Sequence, residues 1–272
     1  MSADKPKSDL HVREIAFHDA WARSTDLDSR AVKACFEAPT AMENHFIVRE
    51  MGPLVGKHIL DVGSGLGESS VYFALQGARV TTTDISPEMV STALDLGKRY
   101  GVELEGIVSS GEDLHVPSEA YDIVYVANTI HHVADRAALL DQIRRALNPG
   151  GRFFSIDPIA YNPAIQVYRA LATEVRTPDE TPLRAADVRL VKKYFANVRH
   201  REFWCLTLAL FFKYYLIDRV HPNEDRYWKR ILRETPETLR WWLPLRAVDS
   251  VLTRLPLLRW LCWNIVIWGE KR

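Results

Sequence analysis

Short runs of β-branched and apolar residues alternate with helical spacing through the middle of the chain, the pattern of a parallel sheet covered on both faces. His58 to Val62 predicts a first strand, and helical spacing from Glu68 to Leu75 follows it and stops at Gly77. Arg79 to Thr83 predicts a second strand. Ser86 and Pro87 then open a helix as N-cap and first helical residue; Val90, Ala93, Leu94 and Gly97 line one face of it and Gly101 ends it. A third strand falls near Glu103 to Val108 and a fourth at Tyr121 to Ala127. Leu139, Leu140, Ile143 and Leu147 mark a helix terminated by Asn148-Pro149-Gly150-Gly151, and Arg152 to Ile156 is a fifth strand. Residues 1–56 read as an amphipathic helical cap with Phe46, Ile47 and Met51 as its buried stripe. Beyond the fifth strand come a Pro- and Tyr-bearing loop, a helix over Leu183 to Tyr194, and strands over Val198 to Leu206 and Leu261 to Trp268. The insertion between those two strands is too apolar for a disordered linker.

The 272 residues suffice for one large α/β domain with an elaboration, or for two small domains. The division expected is a cap over 1–56, a central domain over 57–206 completed by 260–272, and an insertion over 207–259. Lys and Arg balance Asp and Glu at 35 each, so nothing in the charge points to nucleic acid. Cys35, Cys205 and Cys262 lie far apart in sequence and fit neither a disulfide framework nor a Cys-x-x-Cys metal site. The first ten residues lack the apolar core of a secretory signal, and no apolar run is long enough to span a bilayer. A soluble, cytoplasmic protein is the expectation.

The strongest local signal is Asp61-Val62-Gly63-Ser64-Gly65-Leu66-Gly67, placed where the first strand turns into the first helix of the alternating region. Glycines there let the backbone turn tightly and approach a ligand closely. Position 68 is Glu, so the third glycine comes one residue too early for the dinucleotide fingerprint. A carboxylate at the loop repels a pyrophosphate and attracts a cofactor bearing an ammonium and a sulfonium, which favours S-adenosylmethionine over NAD. Asp84 ends the second strand, where its carboxylate can accept from both hydroxyls of a ribose.

Four segments in this order, 59–68, 82–89, 121–128 and 147–153, resemble class I methyltransferases, most closely the group of the ubiquinone and menaquinone methyltransferases. The resemblance covers roughly residues 45–160. It implies a Rossmann-like α/β fold, a seven-stranded doubly wound sheet of order 3-2-1-4-5-7-6, with an N-terminal helical cap and a helical insertion before the last strand. It also implies that Asp61, Gly63, Ser64 and Gly65 hold the methionine end of S-adenosylmethionine and that Asp84 with Ile85 holds the ribose and adenine. Gly111, Glu112 and Asp113 would cup the adenine, and Asn128 would line the methionine moiety through its backbone. Ser110 stands where the family often has an acidic residue.

His131 and His132 follow the fourth strand on the face where substrate approaches. In an extended segment adjacent side chains point opposite ways, so only one of the pair is expected to face a ligand; one is a candidate general base, or else one packs and one caps the next helix. No third metal ligand stands at recognisable spacing. Tyr161, past the carboxyl end of the fifth strand, could orient or deprotonate an acceptor hydroxyl, or belong to a turn held by two prolines. His18 and Trp21 lie on a helix similar to the flap that covers the cofactor in many of these enzymes; His18 is a second candidate base. The expected chemistry is methyl transfer to oxygen or carbon of a small or lipophilic acceptor. An NAD(P)-dependent oxidoreductase and a non-catalytic binding module are the alternatives. Seven of the eight tryptophans lie beyond residue 200, and Lys213 to Arg272 holds twelve Lys and Arg against seven Asp and Glu. That insertion is expected to be a lid over a greasy acceptor, a peripheral membrane contact, or a second core.

Overall fold

The computed structural model describes residues 5–272 apart from positions 29, 175, 178 and 234. Three helices, α1 (Lys5–Arg23), α2 (Val32–Glu37) and α3 (Met42–Met51), precede the first strand, β1 (His58–Val62). There follow α4 (Glu68–Leu75), β2 (Arg79–Asp84), α5 (Pro87–Arg99), β3 (Glu105–Val108), β4 (Tyr121–Ala127), α6 (Arg136–Ala146) and β5 (Leu147–Pro158). The chain continues through α7 (Pro163–Leu171), α8 (Ala185–Tyr194), β6 (Ala196–Phe203), α9 (Ala209–Phe212), α10 (Tyr227–Arg233), α11 (Thr235–Leu252) and β7 (Asn264–Glu270). The strands form one sheet of order β3-β2-β1-β4-β5-β7-β6. All neighbours are parallel except β7, which runs antiparallel to both β5 and β6.

The two-residue period of the central strands divides the core. Ile59, Ile123, Tyr125, Phe154 and Ile156 face one side with Phe36, Phe46 and Ile47 of the cap and Phe211, Tyr214 and Trp242 of the insertion. Leu60, Val62, Val124, Val126 and Phe153 face the other side with Leu139, Leu140 and Ile143 of α6 and Val188 and Val191 of α8. Cap and insertion therefore meet on the same face of the sheet.

Two elements differ from the sequence expectation. β5 starts at Leu147, which pairs with Tyr121; Asn148–Gly151 form an irregularity, with Gly150 at φ +73°, before pairing resumes with Arg152 opposite Ile123. The segment expected as a loop after β5 contains α7. Asn162 caps it, its side-chain oxygen accepting from the Ile165 N–H at 3.1 Å, with Pro163 as first helical residue. A cap followed by proline also opens α5, where Ser86 Oγ accepts from the Met89 N–H at 3.0 Å. On α5 the buried face is carried by Met89 and Leu96 along with Val90, Ala93 and Gly97, while Leu94 is only half-buried.

Candidate active site

The carboxyl ends of β1, β2, β4 and β5 open into a cavity of about 590 Å³, roofed by α1 and walled by the insertion. Its floor is the turn from β1 into α4. Gly63 there is at φ +67°, and a Cβ on it would lie 2.2 Å from Thr129 Oγ1, so the loop and the end of β4 touch through a missing side chain. Gly65 is at φ +56° with nothing within 4 Å of the place its Cβ would occupy: a backbone held in the left-handed region with open space above it.

Asp84 fixes this loop from the end of β2. One carboxylate oxygen accepts from the Gly65 N–H at 3.0 Å and the other from the Ser86 N–H at 2.9 Å. Burial raises its pKa, while the nearby His18 and these two donors oppose the rise. A carboxylate has about four acceptor sites, so two remain for a ligand. Ser86 Oγ in turn donates to Asp19 of α1 at 2.5 Å, which ties the roof to the same corner. Ser64 lines the cavity with its Oγ accepting from Thr82, and Ile85, Gly111 and Glu112 line it further round. Glu112 is already engaged: one oxygen accepts from the Asp135 N–H and the other meets His11, each at 2.7 Å. Asn128 lines the cavity at φ +52°, its N–H donating to Ile156 O at 2.7 Å.

Three sequence candidates lie elsewhere. Asp61 is not at the mouth of the loop. It is 1% exposed beneath it, and one oxygen accepts from Ser69 at 2.5 Å and Ser70 at 2.7 Å, so it anchors α4 to β1. Burial pushes its pKa up to about 6 against those two hydrogen bonds. Asp113 is exposed, 3.5 Å from His115. Tyr161 is 43% exposed on the outer surface; its oxygen accepts from the Ala185 N–H at 3.1 Å and its ring meets Trp260. It braces the first turn of α8.

The histidine pair also departs from expectation. Residues 130–132 form a turn closed by the His132 N–H donating to Thr129 O at 3.0 Å. Both rings therefore turn to the same side, 4.2 Å apart. His131 is buried against Asp157 at 2.8 Å. Burial pushes the imidazole well below its ordinary pKa and the Asp157 carboxyl up to about 8, leaving a neutral pair. His132 and His18 converge on one carboxylate from α1: Glu14 Oε2 lies 3.1 Å from His132 Nδ1 and 3.2 Å from His18 Nε2. Burial would raise the Glu14 pKa, but the hydrogen bonds from His132 and His18 outweigh it and hold the carboxyl well below the usual range. Thr177 donates to its second oxygen at 2.7 Å.

Sequence reasoning missed Glu14, whose only local signal is its i, i+4 spacing to His18. With it, Glu14, His18 and His132 bring ligand-type atoms within 4.8 Å of one another, as do His131, His132 and Glu180. The third donor absent near the pair in sequence is thus supplied by distant segments, in the donor types a divalent metal uses. Cys205 and Cys262, far apart in sequence, are hydrogen-bonded neighbours.

Comparison with known proteins bears on the central region. Residues 60–155 match the family model described as a methyltransferase domain. This stretch is a class I methyltransferase domain. The ubiquinone biosynthesis O-methyltransferase of Xylella fastidiosa (strain 9a5c) is 38% identical over 103 residues, 38% of this chain and 42% of the relative. Phosphoethanolamine N-methyltransferase 1 of Arabidopsis thaliana is 34% identical over 113 residues, 40% of this chain and 23% of the relative. The chain thus aligns with less than half the length of either relative. The methyltransferase domain and its flanking helices also share their fold with an S-adenosylmethionine-dependent methyltransferase from Aquifex aeolicus. The TM-score is 0.55 at 14% identity, over 93% of this chain and 98% of that one.

Proposed function

We propose that the whole chain is an S-adenosylmethionine-dependent methyltransferase acting on oxygen or carbon of a small, lipophilic acceptor. The observation that carries this is the open left-handed backbone at Gly65 beside a fixed Asp84 carboxylate in a cavity of ligand size. Asp84 would hold the ribose, and the Gly63–Gly65 backbone with Asn128 the methionine end. The bound cofactor supplies an electrophilic methyl on a positive sulfur. The protein's share is positioning, exclusion of water and, for a protic nucleophile, removal of a proton.

His132 is the group for the proton. Glu14 orients its Nδ1 and stabilises the imidazolium that forms, which leaves Nε2 to accept. His18, on the same carboxylate with its ring 5.8 Å from that of His132, closes the site from above. An oxidoreductase reading loses support because the glycine spacing is wrong for a pyrophosphate. The late tryptophans support the lipophilic assignment, since Trp228 of the insertion and Trp204 and Trp263 at its two borders line the cavity. Among the described residues no helix is long and apolar enough to cross a membrane. We assign α11 to peripheral contact, and the free thiols of Cys35, Cys205 and Cys262 suit a reducing cytoplasm.

Calorimetry with S-adenosylhomocysteine tests the cofactor assignment. Asp84→Ala should weaken binding by roughly 1.5–3 kcal/mol, the range for a charge-assisted hydrogen bond. Unchanged affinity in a folded variant would remove Asp84 from the site and the reading with it.

A further inference from the structure

The cavity wall contributed by the insertion holds more positive charge than the fold neutralises. Arg226, just before α10, places its guanidinium 3.6 Å from the centre of the Trp21 ring on α1. The Lys229 ammonium lies 4.7 Å from the same ring. Arg30 enters from the segment between α1 and α2, and all three line the cavity. Arg30 and Lys229 share one carboxylate, Glu68, at 3.5 Å and 3.8 Å respectively. Among the described residues Arg226 makes no ion pair, and Arg30 Nε is buried without a hydrogen-bond partner. Glu180 also attracts Arg226 across the cavity but is ion-paired with Arg169 and Arg176, so Glu68 is the one acid that the three cations have within ion-pair distance among the described residues.

That arrangement is costly without a ligand. Taking a cation out of water carries a penalty of several kcal/mol unless an anion and hydrogen bonds replace the hydration. The strain registers on the groups themselves. Burial drives Lys229 down to about 8, with Arg30 and Arg226 adding to the fall against Glu68. Burial likewise drives Arg226 to about 10, against the opposing influence of Tyr168. The face of Trp21 offsets part of the cost by cation–π attraction, about 0.5–2 kcal/mol. It does not replace a counter-charge, and it offers no acceptor to the guanidinium N–H groups.

We propose that Arg226 and Lys229, over the Trp21 ring, and Arg30, joined to Lys229 through Glu68, form an anion-binding subsite within the cavity that takes a carboxylate or phosphate group. Trp21 adjoins His18 with ring centres 6.0 Å apart, and His18 adjoins His132 at 5.8 Å, so the subsite and the proposed proton acceptor lie in one cavity with the His18 ring between them. Two ligands can bring such a group: an acidic acceptor, or the carboxylate at the methionine end of the cofactor. The inference rests on the methyltransferase reading only for that choice of ligands.

Calorimetric titrations of the full chain test it with three probes: S-adenosylhomocysteine, 5′-methylthioadenosine, which lacks the amino-acid end, and inorganic phosphate added to protein saturated with S-adenosylhomocysteine. Phosphate binding that falls at least tenfold in Arg226→Met and recovers in Arg226→Lys, with S-adenosylhomocysteine affinity unchanged, assigns the subsite to the acceptor. A tenfold loss for S-adenosylhomocysteine with none for 5′-methylthioadenosine assigns it to the cofactor carboxylate. Equal binding of all three probes by wild type, Arg226→Met and Lys229→Met overturns the subsite. Absence of nucleoside binding to the wild type would instead overturn the methyltransferase reading, and phosphate titrated into the free protein would still report on the subsite.

Discussion

Two halves of the cavity solve the problem of ligand contact in opposite ways. On the β1–β2 side the lining is backbone: Gly63 lets the end of β4 pack against the loop, Gly65 leaves open space above it, and one carboxylate, Asp84, is locked by N–H groups from both flanking turns. On the insertion side they are side chains, with tryptophans and unneutralised cations projecting from α10 and the segments around it. The first half needs few residues and fixes them by sequence spacing. The second depends on which distant segments fold over it, and its charge is left open. A cofactor common to many enzymes suits the first half, and an acceptor particular to this one suits the second.

The sharpest break of that contrast is Gly65→Val. A β-branched residue at φ +56° costs about 1–2 kcal/mol in backbone strain, and its methyls fill the open space over the loop. Binding of S-adenosylhomocysteine should fall below calorimetric detection while the circular dichroism spectrum is retained. Measurable binding within tenfold of wild type would show that the open space is not ligand space.

His132→Ala should act on turnover instead. Loss of a positioned base costs on the order of 100-fold, with cofactor affinity kept. Tyr161→Phe is the contrast: its hydroxyl only accepts from the Ala185 N–H, so turnover should stay within about twofold and stability should drop by about 1 kcal/mol. Methyl transfer by the two variants against a panel of phenolic acceptors, with thermal melts, checks both halves of the statement. Equal losses of turnover would return Tyr161 to the site.

The same division explains what was legible in the sequence. The strands and the Gly63–Gly65 turn follow from local pattern, because strand period, N-caps and left-handed glycines are short-range properties, while the sheet order was legible only through the resemblance to class I methyltransferases. α7 was hidden although its Asn162-Pro163 start matches the Ser86-Pro87 start of α5, since neighbouring prolines and Tyr161 read as loop. Glu14 and the Arg30–Arg226–Lys229 group are long-range meetings, which nothing at any one of those positions announces. Asp61 differs from expectation for a physical reason: it does stand as a carboxylate near the loop, but Ser69 and Ser70 in the first turn of α4 claim it. The seven late tryptophans divide by place. Trp242 is core, Trp204, Trp228 and Trp263 line the cavity, and Trp241 is 53% exposed.

That exposed tryptophan leads to a smaller effect at the outer edge of the insertion. α11 buries Trp242 and Asp249 inward and leaves Trp241, Val248 and Val251 outward, with Arg240 and Arg246 also exposed on it. Its one acid over 238–252, Asp249, is consumed by three N–H groups of residues 205–207. An amphipathic, net basic surface of this kind meets anionic headgroups at about 1 kcal/mol per basic residue. The protein should float with phosphatidylglycerol vesicles at low salt, and Arg246→Ser should weaken that roughly fivefold without altering cofactor binding. No flotation at low salt would confine the insertion to core and lid.

An effect on stability alone, with no change in ligand contact, is expected at the end of β5, where Asp157 accepts from both the N–H and the ring of His131. Burial holds His131 neutral in the folded chain, whereas an unfolded histidine takes a proton below about 6.5. Folding therefore releases a proton from this residue below that pH, and stability gains as pH rises toward it. Asp157 does the reverse. Its folded pKa of about 8 stands above the unfolded 3.8, so between those values the native state holds a proton that the unfolded chain has lost. Stability then falls as pH rises. The two tendencies oppose each other below about 6.5, and from there to about 8 only the fall from Asp157 remains. Asp157→Asn keeps an acceptor oxygen for His131 and removes the titration. Thermal or urea unfolding at pH 6.5, 7.25 and 8 should show wild-type stability declining by somewhat less than the about 1.4 kcal/mol per pH unit that one proton permits. The variant should be flat over the same window. A variant that declines in parallel with the wild type would mean that Asp157 is already ionised in the folded protein and is not the source of the fall.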